Sequence, residues 1–270
     1  MHVSYAKVVC VKIRYASVLL FIAVFLSAGC SYFKDKGDVT ENYTEDRLYA
    51  EAKGALDGGE YSKAVEYYEK LQARHPFGPH SQQAQLDLSY AYYKQDDFPS
   101  AVAAADRYIK LYPSGAGIDY AYYLKGLANF NQGKGLIDRY LPNDTTQRDQ
   151  GAAAQAFQDF ADMIKKYPDS QYVDDAKQRM IYLRNVLAQG EVNVATYYMR
   201  RGAYLAAANR ARYVVENFQQ STAMPAALTI MAKAYKILGM NDLSNDSLRV
   251  LEENFPNHPG IEEVRETTLH

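Results

Sequence analysis

Gly59-Glu60-Tyr61-Ser62-Lys63-Ala64-Val65-Glu66-Tyr67-Tyr68-Glu69-Lys70-Leu71-Gln72-Ala73-Arg74-His75-Pro76 is the unit from which this chain is built. A small residue, Ala64, is followed seven positions later by apolar Leu71 and twelve positions later by Pro76. The same frame returns at Ala101 with Tyr108 and Pro113, and at Ala156 with Met163 and Pro168. It returns again at Ala207 with Val214, where Gln219 takes the proline place, and at Ser244 with Leu251 and Pro256. Ala64 to Ala101 is 37 residues, and so is Ala207 to Ser244. Self-similarity at such a period predicts stacked helical hairpins. The small residue lets two helices approach closely. The proline ends the second helix, because it has no N–H to donate and clashes with the preceding turn. Such a stack binds partners along its surface and rarely builds a catalytic pocket.

The frame resembles the tetratricopeptide pattern. The first helix of each hairpin (helix A) has a small residue at its eighth position and often an aromatic at its eleventh: Ser89 and Tyr92, Ala195 and Tyr198, Ala232 and Tyr235. Four residues after the small residue of the second helix (helix B) stand Tyr68, Ala105, Phe160, Ala211 and Leu248. The predicted fold is all-α, a tetratricopeptide-repeat superhelix of about five helical hairpins. Two spacings exceed 37. Ala101 to Ala156 is 55, and the surplus falls at 133–150, where Gly133, Gly135, Pro142, Asn143 and Asp144 predict a loop. Ala156 to Ala207 is 51, and Gln171 to Arg201 reads as one helix, long or kinked, with Gly190 the candidate place for a kink. That helix separates N-terminal repeats at 44–170 from C-terminal repeats at 171–266. Thr44 is placed to cap the first helix.

Residues 1–29 read as a signal peptide. Lys7, Lys12 and Arg14 form a positive start, and Ala16 to Ala28 is an apolar run of 13 residues. A membrane-spanning helix needs about 20. The run ends in Leu26-Ser27-Ala28-Gly29-Cys30, which resembles a bacterial lipoprotein box, although Ser27 stands where Leu, Val or Ile is usual. The resemblance implies lipid on Cys30, and Ser31 after it implies sorting to the outer membrane. Residues 30–43 then read as a flexible tether. Cys10 lies in the removed segment, so a mature chain beginning at lipidated Cys30 would have no free thiol and no disulfide. Net charge is −2 overall and −5 without the three positives of the signal, which gives no reason to expect nucleic-acid binding.

No catalytic, cofactor or metal constellation stands out. His75 and His80 flank Pro76 and Gly78 and read as turn residues rather than zinc ligands. Gly133-Lys134-Gly135 lacks phosphate-loop spacing. Asp96-Asp97, Asp174-Asp175 and Glu252-Glu253 are adjacent acids that read as solvated surface. Chemistry is sought instead in the aromatic residues, with 25 tyrosines and 10 phenylalanines. In a tetratricopeptide stack, positions two, five, nine, twelve and thirteen of helix A face the concave groove. They are Gln83, Leu86, Tyr90, Tyr93 and Lys94 in the second repeat, and Tyr120, Tyr123, Leu127, Phe130 and Asn131 in the third. The first repeat adds Tyr49 and Lys53. An exposed aromatic groove edged by lysines suits an extended peptide with an aromatic residue and a terminal carboxylate. The alternative is that the tether or the 133–150 loop covers it.

His75-Pro76-Phe77-Gly78-Pro79-His80-Ser81-Gln82-Gln83, then Gln85-Leu86-Asp87-Leu88 and Tyr90-Ala91-Tyr92-Tyr93-Lys94, resembles the BamD family of lipoproteins. Ile118-Asp119-Tyr120, Arg148-Asp149, Ala156-Phe157 with Asp159-Phe160, and Tyr167-Pro168 with Ser170-Gln171-Tyr172 extend the match. The resemblance implies a non-enzymatic subunit of the machinery that inserts β-barrels into the outer membrane, anchored by its lipid on the periplasmic face. It implies that the N-terminal half recognises the aromatic C-terminal signals of unfolded barrel proteins, and that smaller accessory lipoproteins bind there too. It implies that the C-terminal half docks the periplasmic domains of a BamA-type insertase through Tyr204, Ala207, Ala208, Asn209 and Arg210. From the residues alone Arg210 is a surface arginine in a salt bridge. Two rivals are another repeat lipoprotein, such as a secretin pilotin or cell-wall scaffold, and a cell-wall hydrolase.

Overall fold

The recurring small residues are where the helices touch. In the computed structural model, which describes residues 38–132 and 150–268, Ala64, Ala101, Ala156 and Ala207 are fully buried and Ser244 nearly so. They lie on the second helices of five hairpins: α1 (Glu45–Asp57) with α2 (Tyr61–Arg74), α3 (Ser81–Lys94) with α4 (Phe98–Leu111), α5 (Ile118–Gln132) with α6 (Gly151–Lys166), α7 (Val173–Arg200) with α8 (Tyr204–Asn217), and α9 (Met224–Ile237) with α10 (Asn241–Asn254). A short α11 (Gly260–Glu266) closes the stack against α9 and α10. The predicted all-α repeat fold of about five hairpins is the observed one. The chain divides into two units, Met1–Thr44 and Glu45–His270, and the repeats form the second. In the first, Asp38 Oδ1 accepts hydrogen bonds from the Thr40 amide at 3.0 Å and its hydroxyl at 2.7 Å. The signal segment, Cys30 and most of the tether lie outside the described residues, as does the expected 133–150 loop apart from Gln150.

Two serines show how closely the paired helices approach. Ser89 on α3, the eighth place of the repeat frame, donates to the carbonyl of Ala101 on α4 at 3.0 Å. Ser244 on α10 donates to the carbonyl of Ala232 on α9, the eighth place of the repeat frame, at 2.9 Å. In the third hairpin the eighth position is Gly126, and a Cβ there would lie 2.6 Å from the ring of Phe160. Glycine is required because Phe160 occupies the space a methyl group would need.

The second helices all stop in one way. The residue before each proline, His75, Tyr112, Tyr167 or Phe255, has φ near −130° and ψ near 60°. Its N–H closes the last turn on the carbonyl of Leu71, Tyr108, Met163 or Leu251. Phe218 does the same on Val214 although Gln219 replaces the proline. Those five acceptor residues are fully buried. Burying a side chain such as Leu71 or Met163 contributes roughly 1.5–3 kcal/mol before the entropy of ordering it is subtracted. The hairpin turns share a further rule. The residue five before the small one has positive φ: Gly59 (77°), Asp96 (61°), Gly202 (73°) and Gly239 (73°). Asp96 is the one position of the four where a side chain sits in the left-handed region.

The long helix is observed, as α7 of 28 residues, and it runs unbroken through Gly190. Gly190 is buried, and a Cβ there would fall 1.3 Å from the Gln150 amide nitrogen, so its role is to admit that side chain. The N-terminal turns of α7 pack on α6 and its later turns pair with α8. Side chains also bind α7 to α5. Tyr123 donates to Asp175 at 2.6 Å and stacks on Tyr172 at 4.6 Å, while Phe130 meets Tyr182 edge-on at 5.7 Å. Arg179 holds Asp175 and lies 5.0 Å from the centre of the Phe130 ring.

Candidate functional site

The first helices α1, α3 and α5 lie side by side and present the residues read from sequence as a groove. On α1, Tyr49 is half-buried and stacks on the His80 imidazole, with centroids 4.4 Å apart and planes 7° from parallel. The His80 ring is also hydrogen-bonded to Asp46 at 2.9 Å, and the His80 backbone N–H donates to Glu45 at 3.0 Å. His75 ends α2 and His80 precedes α3, so both are turn residues. Lys53, one turn beyond Tyr49, pairs with Asp57 at 3.2 Å.

Below them lies a residue the sequence reading passed over. Asp87 on α3 is only 8% exposed. Its Oδ2 accepts from the Tyr68 hydroxyl at 3.0 Å and its Oδ1 from Gln83 at 2.8 Å. Burial, reinforced by the Asp87 charge, raises the Tyr49 and Tyr68 hydroxyls above the ordinary tyrosine value. Burial opposes the charge on Lys53, but Asp87 and Asp57 outweigh it and hold the ammonium above its usual value. A carboxylate set between two leucines, Leu86 and Leu88, was the sequence signal for this buried acid.

Further along the face, Tyr90, Tyr93, Tyr120 and Phe130 are partly buried and pack on one cluster around Phe160 and Leu124. Tyr93 accepts from Asn131 at 2.9 Å and its ring lies 5.9 Å from Phe98. Tyr120 lies 5.4 Å from Tyr172, and burial followed by the neighbouring Tyr90 raises its hydroxyl. Lys94 is exposed, 5.4 Å from the centre of the Tyr61 ring and 6.0 Å from that of Tyr90.

Three residues expected on an exposed groove are instead core. Leu86 is 6% exposed and packs with Tyr108 and Ala121. Leu127 is 9% exposed in the Phe160 cluster. Tyr123 is 8% exposed, and its hydroxyl is committed to Asp175. Burial and that carboxylate push it up to about 12. The cause is the same for all three, since the next helix of the stack lies over those positions. Among the described residues, the aromatic positions of the predicted groove that are only partly buried are therefore Tyr49, Tyr90, Tyr93, Tyr120 and Phe130, beside the two lysines.

A cleft of about 430 Å³ lies elsewhere, between α2, α3 and α4, with Gln72, Gln85, Leu88, Tyr92 and Ala104 among its walls. Gln85 stands where the repeat pattern has tryptophan. The smaller side chain donates to the Ala104 carbonyl at 3.0 Å and leaves space.

On α8, Arg210 pairs with Glu191 of α7 at 3.0 Å, with its side chain 48% exposed. Asn209 is exposed and accepts from Arg212 at 3.2 Å. The salt bridge read from sequence for Arg210 is observed. Among the described residues no three His, Cys, Asp or Glu side chains gather as metal ligands. None of the described helices is long and apolar enough to cross a membrane.

A stack of helical hairpins with an aromatic, lysine-edged face at one end and an exposed ion-paired arginine at the other belongs to the class of repeat scaffolds that bind other chains. Comparison with known proteins is specific. A family model for YfiO, described as an outer membrane lipoprotein, matches residues 41–264. An outer membrane protein assembly factor BamD of Neisseria meningitidis serogroup B is 41% identical over 225 residues, covering 83% of this chain and 84% of that one. BamD of Xylella fastidiosa strain 9a5c is 35% identical over 243 residues (90% and 83% of the two chains), and that of Vibrio cholerae 34% over 241 (89% and 99%). This chain belongs to that family of outer membrane lipoproteins, as its Phe77 to Lys94 block suggested. A solved structure, the apo form of RapI, aligns over 81% of this chain and 55% of that one at 12% identity and a TM-score of 0.33, and bears no argument.

Proposed function

We propose that this protein is an outer membrane protein assembly factor, a scaffold without covalent chemistry that holds an unfolded barrel substrate in one half and the insertase in the other. The observation that carries this is family membership across residues 41–264, reinforced by relatives named for that task. Cys30 carries the lipid that anchors the chain to the outer membrane, with the repeats on the periplasmic side. The N-terminal repeats, 44–170, receive the aromatic C-terminal signal of the substrate. Aromatic residues held half-buried at Tyr49, Tyr90, Tyr93, Tyr120 and Phe130 support that assignment, because aromatic side chains carry large apolar contact area and little rotamer freedom to lose. The C-terminal repeats, 171–266, dock the periplasmic domains of a BamA-type insertase at Asn209 and Arg210, and accessory lipoproteins join the same assembly.

The two halves communicate through α7. The Tyr123–Asp175–Arg179 linkage and the Phe130–Tyr182 contact support this, since they tie α5, part of the substrate face, to the helix that carries Glu191, the partner of Arg210. Coupling of this kind has a direct measure: signal peptide must change the affinity for the insertase, and an unchanged affinity sinks it.

The test of the main reading is purification of the tagged full-length chain from its native envelope in mild detergent. The expected result is a stoichiometric outer-membrane β-barrel with periplasmic repeat domains, lost on Arg210→Glu. Recovery of secretin or cell-wall proteins in its place would refute the reading.

A further inference from the structure

The two lysines of the substrate face have different electrostatic surroundings. Lys53 lies 3.2 Å from Asp57 and feels the charge of buried Asp87. One ammonium beside two carboxylates leaves that end of the face with a net negative charge, which repels an incoming anion. Lys94 has no carboxylate within ion-pair range among the described residues. Asp97, three residues on, turns its side chain to the Ser100 amide at 3.2 Å. The Lys94 ammonium is exposed beside the Tyr61 and Tyr90 rings, 5.4 and 6.0 Å from their centres. Aromatic faces at that distance attract and localise a cation without neutralising it. Lys94 is thus a held, uncompensated positive charge next to Tyr90, one of the aromatic residues of the face.

We propose that Lys94, and not Lys53, reads the terminal carboxylate of the bound segment and so sets its polarity. This rests on the substrate-face reading above. The carboxylate pairs with Lys94 at the turn between α1 and α2, and the final aromatic side chain lies against Tyr90 and Tyr120. The chain then runs back across the face with its amino-terminal part near Asp87 and Lys53, where the acids favour donors and cations over a carboxylate. A charge-assisted pair of this kind is stronger than a neutral hydrogen bond and distinguishes an acid from an amide.

The experiment uses the full chain in detergent micelles and a fluorescent octapeptide of alternating serine and valine ending in phenylalanine, made as free acid and as amide. Anisotropy gives the ratio of the two affinities. The acid is expected to bind roughly tenfold more tightly. Lys94→Met brings the ratio to about one, because the acid loses the charge-assisted pair that the amide never had. Lys53→Met keeps the parent ratio. Helical circular dichroism checks that both variants are folded. A ratio that survives Lys94→Met, or collapses in Lys53→Met, overturns the assignment. Equal binding of acid and amide to the parent chain overturns it while the substrate face stands. If neither peptide binds, the substrate-face reading fails and this inference fails with it.

Discussion

Adding one methyl group at Gly126 tests the packing rule on which the whole stack depends. In Gly126→Ala the new carbon would lie 2.6, 2.7 and 3.1 Å from three carbons of the Phe160 ring. Ordinary carbon contacts are about 3.5–4 Å, so the ring or the helix must move by close to 1 Å. Phe160 cannot yield freely. It is fully buried, with Tyr123 at 6.1 Å and Phe130 at 6.5 Å between centroids. Overpacking of this kind costs about 1–3 kcal/mol. Alanine recovers roughly 1 kcal/mol of helix propensity relative to glycine. The expected net effect is a loss of about 1 kcal/mol, growing to about 2–3 kcal/mol in Gly126→Val, which has a larger side chain and less propensity to offset it. Urea denaturation of the full chain, followed by circular dichroism, gives the midpoints. Repeat stacks can unfold in stages, so the transition carrying α5 and α6 is the one to follow. Phe160→Leu should make room, so the double variant should be more stable than the two single losses predict, by about 1 kcal/mol or more. A Gly126→Ala chain as stable as the parent, or losses that simply add with Phe160→Leu, would refute the close-approach argument.

Two further outcomes follow from local geometry. Asp96 holds φ of 61° where the equivalent turns have glycine, so Asp96→Gly should raise stability by up to about 1 kcal/mol. Gly202→Ala, in open space at φ of 73°, should lower it by about 1–2 kcal/mol in the same urea assay. The opposite order would remove turn strain as the explanation. For pH, burial raises the Asp175 carboxyl, but hydrogen bonds from Arg179 and Tyr123 outweigh it and leave it below the ordinary 3.8. A folded-state value below the unfolded one means the group stabilises fully above the unfolded value and loses that contribution as pH falls through the folded one. The stability gap between parent and Asp175→Asn should therefore be constant near neutrality and close below pH about 4. A gap that widens on acidification contradicts the assigned linkage.

The repeat frame was legible in sequence because each of its signals acts locally. A proline stops its own helix whatever lies beyond, and Ala64, Ala101, Ala156 and Ala207 are small because their own hairpin partners press on them. That a single long helix fills the stretch now seen as α7 was readable for the same reason, from its helical pattern between Gln171 and Arg201. The family block from His75 to Lys94 was legible as a string of specific residues. What helix position could not settle was which part of the substrate face stays open. Leu86, Tyr123 and Leu127 occupy positions that a single hairpin exposes, and the helices stacked beside them remove those positions from solvent.

Sequence by itself thus determined the hairpins, their number and their stopping points, because backbone geometry and near-neighbour sterics decide those. Tertiary structure alone decided the electrostatics and the fine packing. It placed Asp87 under Tyr68 and drew its charge toward Lys53, and it left Lys94 beside two rings with no carboxylate in ion-pair range among the described residues. It also made Gly190 a seat for Gln150, 40 residues away in the chain. These depend on which residues from different hairpins come within a few ångströms of one another, and charge and steric contact act on that distance, not on separation along the chain.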